Sequence, residues 1–322
     1  MRIVLLLIIL AFAAFGGDQG VNPATVPAAP KKEAPAPKEF PRAEGLVDAA
    51  TLARWIEKKD TKFIIVDARS SELYAQGHIP GAVNIVSDTL QDTDNPPYFL
   101  VARGKLKKLC QESGIDADSR VVIYDEDDGR LAARVWFTLY AYGHDKGSIL
   151  DGGVAKWRDP WKAGSRQWFT DAPKKAEGTF EPEEKLRGVV GFDDLSQFKL
   201  RVQEFGELPT TTLIDARSQA EYMGEEVRGK AGGHIPGAAN IEWSALMKGK
   251  ERERVWRSPP EIHAILRVGG IDKAQKIAVY DQAGGRSSHL FFTLWLMGFE
   301  NIANYTAGWR EYGNKDGAEV EK

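Results

Sequence analysis

The sequence predicts an α/β fold made of two copies of one domain, each a doubly wound, mainly parallel sheet flanked by helices. Three observations lead to this expectation: the length of 322 residues, a long internal repeat, and an alternation of short apolar runs with amphipathic stretches. At roughly 150 residues per domain, the length accommodates two domains. Hydrophobic residues make up 43% of the chain and charged residues 28%, which is typical of a globular protein with a buried core.

The internal repeat keeps its order over about half the length of the chain, which identifies the chain as a duplication of one domain. The matched segments are 63–70 with 212–218, 77–82 with 233–238, 84–85 with 240–241, 114–116 with 270–272, 121–125 with 277–281, and 129–130 with 285–286. Each copy therefore contributes the same order of structural elements.

Strands and helices alternate within each copy. The β-branched runs predict buried strands at Phe63–Val66, Val121–Tyr124 and Ile277–Tyr280. The amphipathic stretches predict helices at Ala49–Lys58 (with Asp48 as N-cap), Leu131–Tyr142, Phe192–Phe205 and Ser287–Met297. Such an alternation gives a parallel sheet, and ligands bind beyond the carboxyl ends of its strands. The loops after Tyr124 and Tyr280 are therefore the expected ligand sites.

The first 44 residues predict an export signal followed by a linker, and we expect neither segment to belong to the fold. Residues 1–17 read as a signal peptide, with Arg2 as the positive region, an apolar run at 3–15 and a small-x-small pattern at 11–13. Residues 18–44 carry six prolines among Ala and Lys, which is typical of a solvated linker. We expect a periplasmic or secreted protein without a stable membrane span after cleavage. An uncleaved anchor is the alternative.

Composition excludes several classes of function. The chain has 43 Lys and Arg against 46 Asp and Glu, a net charge of −3, which argues against a strongly basic nucleic-acid binder. Its single cysteine, Cys110, excludes an intramolecular disulfide and any metal site built from several cysteines. The sequence shows no metal-ligand constellation and no phosphate-binding glycine loop, so no metal and no cofactor are expected.

Recurring short motifs identify a family. Each copy has an Asp-Ala-Arg strand end and a Gly-His-Ile-Pro-Gly-Ala turn, and the chain closes with Gly-Trp-Arg-Glu-Tyr at 308–312. This set resembles the tandem rhodanese sulfurtransferases, which act on thiosulfate or 3-mercaptopyruvate. The resemblance implies the following division: a non-catalytic domain at 45–158, an interdomain connection at 159–187, a second domain at 188–316 and a tail at 317–322.

The resemblance also implies where catalysis would take place. In this family the second domain carries a loop that opens with a cysteine, which accepts a sulfur atom as a persulfide among backbone N–H groups. The matching loop here is Asp281, Gln282, Ala283, Gly284, Gly285 and Arg286. Asp281 stands at the cysteine position, and a carboxylate cannot form a persulfide. The matching first-domain loop, 125–130, has four acidic residues that would repel an anionic substrate.

Three interpretations of Asp281 stay open. Its carboxylate can cap the next helix and occupy the anion cradle, leaving the site chemically silent. Alternatively, the loop amides and Arg286 still bind a small anion, with Asp281 tuning selectivity. In the third interpretation Asp281 is a nucleophile for phosphoryl transfer. The resemblance adds Arg187 as a candidate anion contact at the domain interface.

These observations predict an exported pseudoenzyme of the rhodanese family that binds a small sulfur-containing anion or a protein partner. The alternative is an active thiosulfate or 3-mercaptopyruvate sulfurtransferase, working through Cys110 or by a cysteine-independent route. Cys110 lies four residues after Leu106, on one face of a predicted helix, and its repeat counterpart is near Leu266. This pattern favours a buried core position for the thiol.

Overall fold

The computed structural model describes residues 35–322 except 60–62, 93, 95–98, 127, 159–167, 199–209 and 252–253. The predicted signal peptide, 1–17, and most of the predicted linker lie outside the described residues. The strands are β1 (Leu46–Val47), β2 (Phe63–Asp67), β3 (Ala82–Asn84), β4 (Arg120–Tyr124), β5 (Gly147–Leu150), β6 (Thr211–Asp215), β7 (Ala239–Asn240), β8 (Met247–Lys248), β9 (Val255–Trp256), β10 (Lys276–Tyr280) and β11 (Ile302–Tyr305).

The helices follow the predicted alternation. They are α1 (Ala49–Glu57), α2 (Ser71–Gln76), α3 (Arg103–Glu112), α4 (Arg130–Ala141), α5 (Gly153–Trp157), α6 (Gln219–Tyr222), α7 (Pro259–Val268), α8 (Gly285–Leu296) and α9 (Gly308–Tyr312). The predicted N-cap is confirmed, since Asp48 accepts hydrogen bonds from the backbone of Ala50 and Thr51. Short 3₁₀ helices add Ala43–Gly45, Ser87–Leu90, Phe192–Phe198 and Trp243–Leu246. In the described part of the chain, no helix is both long enough and apolar enough to cross a bilayer.

The predicted helix Phe192–Phe205 differs from the structure. Residues Phe192–Phe198 form a 3₁₀ helix, in which Leu195 and Phe198 are buried, and residues 199–205 lie outside the described part. The acidic first turn, Asp193 and Asp194, is compatible with either type of helix start. The amphipathic spacing therefore located a buried helical segment but not its hydrogen-bond pattern.

Each domain contains the expected parallel sheet. The first has strand order β1-β5-β4-β2-β3, and the second has β11-β10-β6-β7. Both faces of β2 are buried: Ile64 and Val66 belong to one apolar cluster, and Phe63 and Ile65 to another. A strand that alternates between two buried faces requires helices on both sides of the sheet. The predicted doubly wound architecture is confirmed.

The two domains share one core. Helix α4 of the first domain packs against α8 of the second, with Trp136 edge-on to Phe292 at 4.7 Å between ring centroids and Phe137 edge-on to Phe291 at 4.8 Å. Such aromatic pairs add to the stabilisation from apolar burial. Because α4 and α8 are the helices that follow the two candidate loops, this packing fixes the loops at the domain interface.

Two segments outside the predicted domain limits belong to the fold. Arg42, placed in the linker by the sequence prediction, donates hydrogen bonds to the carbonyls of Trp295 and Phe299 at the end of α8. Glu321, placed in the tail, pairs with His234 through both backbone hydrogen bonds. These contacts are long-range, so local composition did not reveal them. The fold therefore extends beyond 45–316 at both ends.

Candidate functional site

The second-domain loop, 281–286, joins β10 to α8 at the carboxyl edge of the sheet, where the sequence predicted a site. Gly284 has φ +87°, and a Cβ there would lie only 3.0 Å from the carbonyl oxygen of Thr306, so the turn requires glycine. The backbone N–H of Trp309 donates to the carbonyl of Asp281 at 2.7 Å, and that of Arg310 donates to Gln282 at 2.9 Å. Helix α9 thus holds the loop in place.

The carboxylate of Asp281 points into its own loop and is 3% exposed as a residue. Its Oδ1 accepts hydrogen bonds from the backbone N–H of Ala283 at 3.1 Å, from that of Gly284, and from the hydroxyl of Ser287 at 3.2 Å. Its Oδ2 accepts from the N–H of Arg286 at 2.8 Å. These donors form an anion-binding cradle at the start of α8, and the Asp281 carboxylate occupies it. This is the arrangement that the first of the three interpretations of Asp281 describes.

Arg286 is next to this carboxylate, but its charge is balanced within the chain. Its Nη2 donates to Glu221 Oε1 at 2.9 Å, its Nη1 donates to Glu221 Oε2, and its Nε lies 3.6 Å from Asp281 Oδ2. Burial opposes ionisation of Glu221, yet the hydrogen bonds and charge of Arg286 outweigh it and lower the pKa of Glu221 to about 2. Arg286 therefore offers little uncompensated charge to an external anion.

Glu221 was not among the sequence candidates. Its signal was the Ser218-x-x-Glu221 spacing, because the two residues form a capping box at the start of α6. The cap places the Glu221 carboxylate against Arg286, 65 residues further along the chain. The cap itself could be predicted, but the ion pair could not.

The first domain covers the loop with an arginine. Arg134 of α4, whose side chain is 13% exposed, donates to the carbonyl of Ala283. The same carbonyl accepts from Gln91 Nε2 at 3.0 Å, and Gln91 Oε1 accepts from Arg310 Nη2 at 3.1 Å. Two side chains of the first domain therefore bind one carbonyl of the loop, and Arg310 of the second domain holds Gln91 in place.

Positive charge is concentrated at this interface. A Cβ added to Gly285 would lie 3.6 Å from Arg130 Nη1, so a second guanidinium of α4 also faces the loop. Burial lowers the pKa of Arg134, the charges of Asp281 and Asp88 oppose that shift, and Arg130 and Arg310 lower the pKa further. Sequence reasoning did not name Arg134, and it identified Arg130 and Arg310 only as members of repeated or closing motifs, since nothing in their local spacing relates the three.

The first-domain loop has the same internal arrangement. Asp125 accepts hydrogen bonds from the backbone N–H groups of Gly129 at 3.0 Å, Leu131 at 2.9 Å and Ala132 at 3.1 Å. Burial and the nearby charge of Asp128 raise the pKa of the Asp125 carboxyl. Both loops of the duplicated fold thus contain an aspartate that binds the amides of its own turn.

Arg187 is not part of this assembly. Its Nη1 donates to Asp145 at 2.9 Å, its Nε lies 3.4 Å from Glu183, and its backbone N–H donates to Ala141 at the end of α4. Arg134, which does contact the loop, lies on α4 two turns before Ala141. The structure therefore separates Arg187 from residues 281–286, and the loose alignment at the start of the second repeat misplaced this candidate.

Cys110 is a core residue of α3, as its spacing predicted. Its side chain is fully buried in the apolar cluster that contains Leu106. Burial raises the pKa of the Cys110 thiol to about 12. Because the thiolate is the nucleophile in sulfur chemistry, this position disfavours transfer through Cys110.

Thiol labelling of the folded protein checks this conclusion. We expect a disulfide reagent such as 5,5′-dithiobis(2-nitrobenzoate) to leave Cys110 unmodified in native buffer and to label it fully in concentrated guanidinium chloride. The physical reason is the combination of zero exposure and a raised pKa. Stoichiometric labelling of protein that keeps its native circular dichroism would contradict the buried placement.

Comparison with known proteins agrees with this architecture. The model of the rhodanese-like domain matches residues 48–160 and 198–315. The sulfur carrier protein TtuD of Thermus thermophilus is 31% identical over 291 residues, covering 87% of this chain and 97% of that protein. A thiosulfate sulfurtransferase of Corynebacterium glutamicum is 30% identical over 300 residues, covering 89% and 93%.

A solved structure gives the same result. SseA of Escherichia coli, described as a 3-mercaptopyruvate sulfotransferase, has a TM-score of 0.68 at 28% identity and covers 83% of this chain and 99% of its own. The family resemblance inferred from the motifs is confirmed by these matches. The chain belongs to the rhodanese family and carries two rhodanese-like domains in tandem.

Proposed function

We propose that this protein is a rhodanese-family pseudoenzyme of the cell envelope that binds a small sulfur-containing anion without persulfide chemistry. The observation that carries the proposal is the Asp281 carboxylate seated in the amide cradle. A carboxylate has no sulfur nucleophile to offer. Its negative charge also opposes entry of thiosulfate into the same N–H groups. The apolar segment within residues 1–17 supports export to the periplasm or beyond.

Anion binding is proposed for the interface outside the occupied cradle. Arg130, Arg134 and Arg310 gather there from both domains, and the carboxylates that act on Arg134 are those of Asp281, already bound in its cradle, and the well-exposed Asp88, 3.9 Å from Arg134 Nη1. The three positively charged guanidinium groups repel one another, and a bound anion would offset this repulsion through charge-assisted hydrogen bonds. Arg286 is a poorer candidate because Glu221 already binds its guanidinium.

Thiosulfate titration of an Arg310→Met variant tests this site. Loss of one charge-assisted hydrogen bond corresponds to about 1.5 kcal/mol, so we expect roughly tenfold weaker binding than in the parent protein by isothermal titration calorimetry at constant ionic strength. The matched control is Arg54→Met, which removes the same charge from the exposed face of α1. Equal binding by parent and both variants would refute the assignment of the arginines.

The alternative function is sulfur transfer from thiosulfate or 3-mercaptopyruvate. The names of the similar proteins favour it, whereas the buried thiol and the carboxylate in the loop argue against it. Activity of the parent that a Cys110→Ser variant lacks would establish a Cys110 route. Activity that survives this substitution would establish a cysteine-independent route.

A further inference from the structure

We infer that the first domain holds a second ligand site, separate from the interdomain loop, for a small organic anion with an apolar body. The site is a cavity of about 570 Å³ at the amino edge of the first sheet. Its walls include Phe63 at the start of β2 and the turn Pro80-Gly81 before β3. Loop 125–130 follows the opposite, carboxyl ends of the strands. A volume of this size is typical of small-molecule pockets.

One part of the cavity lining is apolar. Ile56 from the end of α1 and Phe63 and Ile65 from β2 line it. Ile56 is partly exposed even though it is a large aliphatic side chain at the end of a packed helix. An apolar molecule seated here would remove such surface from water, which stabilises a complex by about 25 cal/mol per Å².

A lysine provides the charge at one wall. Lys175 is partly buried, and its stem packs on Gly114, since a Cβ added there would lie 3.1 Å from Lys175 Cβ. Within the described part of the chain, Lys175 has no recorded hydrogen bond or ion pair. Burial lowers the pKa of Lys175. A ligand carboxylate would supply the missing partner.

The remaining charges of the lining also favour an anion. Lys59 and Lys174 lie at the exposed rim, together with the exposed carboxylate of Glu177. Asp116 lines the cavity too, but its Oδ1 accepts hydrogen bonds from the N–H and hydroxyl of Thr179 at 2.8 and 2.7 Å. Among the described residues of the lining, three ammonium groups therefore stand against two carboxylates, one of which already has partners.

Octanoate is a suitable probe, because it joins one carboxylate to an apolar chain. We expect isothermal titration calorimetry to show a single octanoate site per chain. The Lys175→Met variant should bind about tenfold more weakly, because it keeps an apolar stem and loses one charge-assisted hydrogen bond. The matched control is Lys108→Met on α3, whose side chain is 76% exposed and does not line the cavity.

Two further titrations make the result decisive. An Ile56→Trp variant, which fills the cavity from a partly exposed position, should abolish octanoate binding while circular dichroism stays native. Neutral 1-octanol should bind the parent more weakly than octanoate. Absence of octanoate binding by the parent, equal binding by parent and Lys175→Met, or equal binding of octanol and octanoate would overturn the inference. Thiosulfate should not compete, so this test is independent of the interdomain site.

Discussion

An Asp281→Cys variant is expected to catalyse thiosulfate:cyanide sulfur transfer on the order of 10³-fold or more above the parent protein. The backbone donors of Ala283, Gly284 and Arg286 surround the side chain at position 281. A thiolate or persulfide placed there would receive the same hydrogen bonds and the field of the α8 N-terminus. Release of thiocyanate, measured colorimetrically, reports the reaction.

The control for this gain is Asp281→Ser. Serine matches cysteine in shape and removes the same carboxylate, but its hydroxyl cannot hold a sulfane sulfur. We expect it to remain as silent as the parent. A second control, Asp281→Cys combined with Cys110→Ser, should keep the full gain, because Cys110 is buried. A correctly folded Asp281→Cys variant without activity would contradict the claim that the cradle is otherwise intact.

An Asp215→Ala variant is expected to lower the free energy of unfolding by about 3–5 kcal/mol. Asp215 and Arg217 are almost fully buried, with Arg217 Nε 3.0 Å from Oδ1 and Nη2 2.6 Å from Oδ2. Arg217 also lies over the ring of Trp309 at 4.3 Å. Removing the carboxylate leaves a buried guanidinium charge without its partner. Urea denaturation followed by tryptophan fluorescence measures the change.

Asp316→Ala provides the comparison with an exposed ion pair. Asp316 is 95% exposed and lies 3.1 Å from Lys230 Nζ, so its removal should change stability by less than about 0.5 kcal/mol. Asp67→Ala should resemble Asp215→Ala, since Asp67 makes the same contacts with Arg69 in the first domain. A loss below about 1 kcal/mol for Asp215→Ala would show that the pair contributes little net stability.

Local patterns in the sequence were sufficient to predict the architecture of the two domains. The β-branched run at 121–124 predicted β4 to within one residue, and Asp48 marked the start of α1 because an N-cap is a contact between near neighbours. The duplication located both loops, and the spacing from Leu106 placed Cys110 in the core. Each of these inferences depends on residues close in the chain or on direct repetition.

Contacts between distant residues were not predictable in this way. Arg134 reaches Ala283 across 149 residues, and Glu221 reaches Arg286 across 65. Such pairs depend on how the domains pack, which no local periodicity encodes. Arg187 shows the converse, because a loosely aligned position suggested a site residue that the structure pairs with Asp145 instead. The candidate site is therefore broader than the loop from which it was inferred.

Thiocyanate production by the purified parent protein, with thiosulfate as donor and cyanide as acceptor, tests the central claim most directly. The account predicts a rate equal to the uncatalysed reaction, because Asp281 fills the cradle and Cys110 is buried. A rate above this background that scales with protein concentration would contradict it. Such a rate would identify the protein as an active sulfurtransferase rather than a pseudoenzyme.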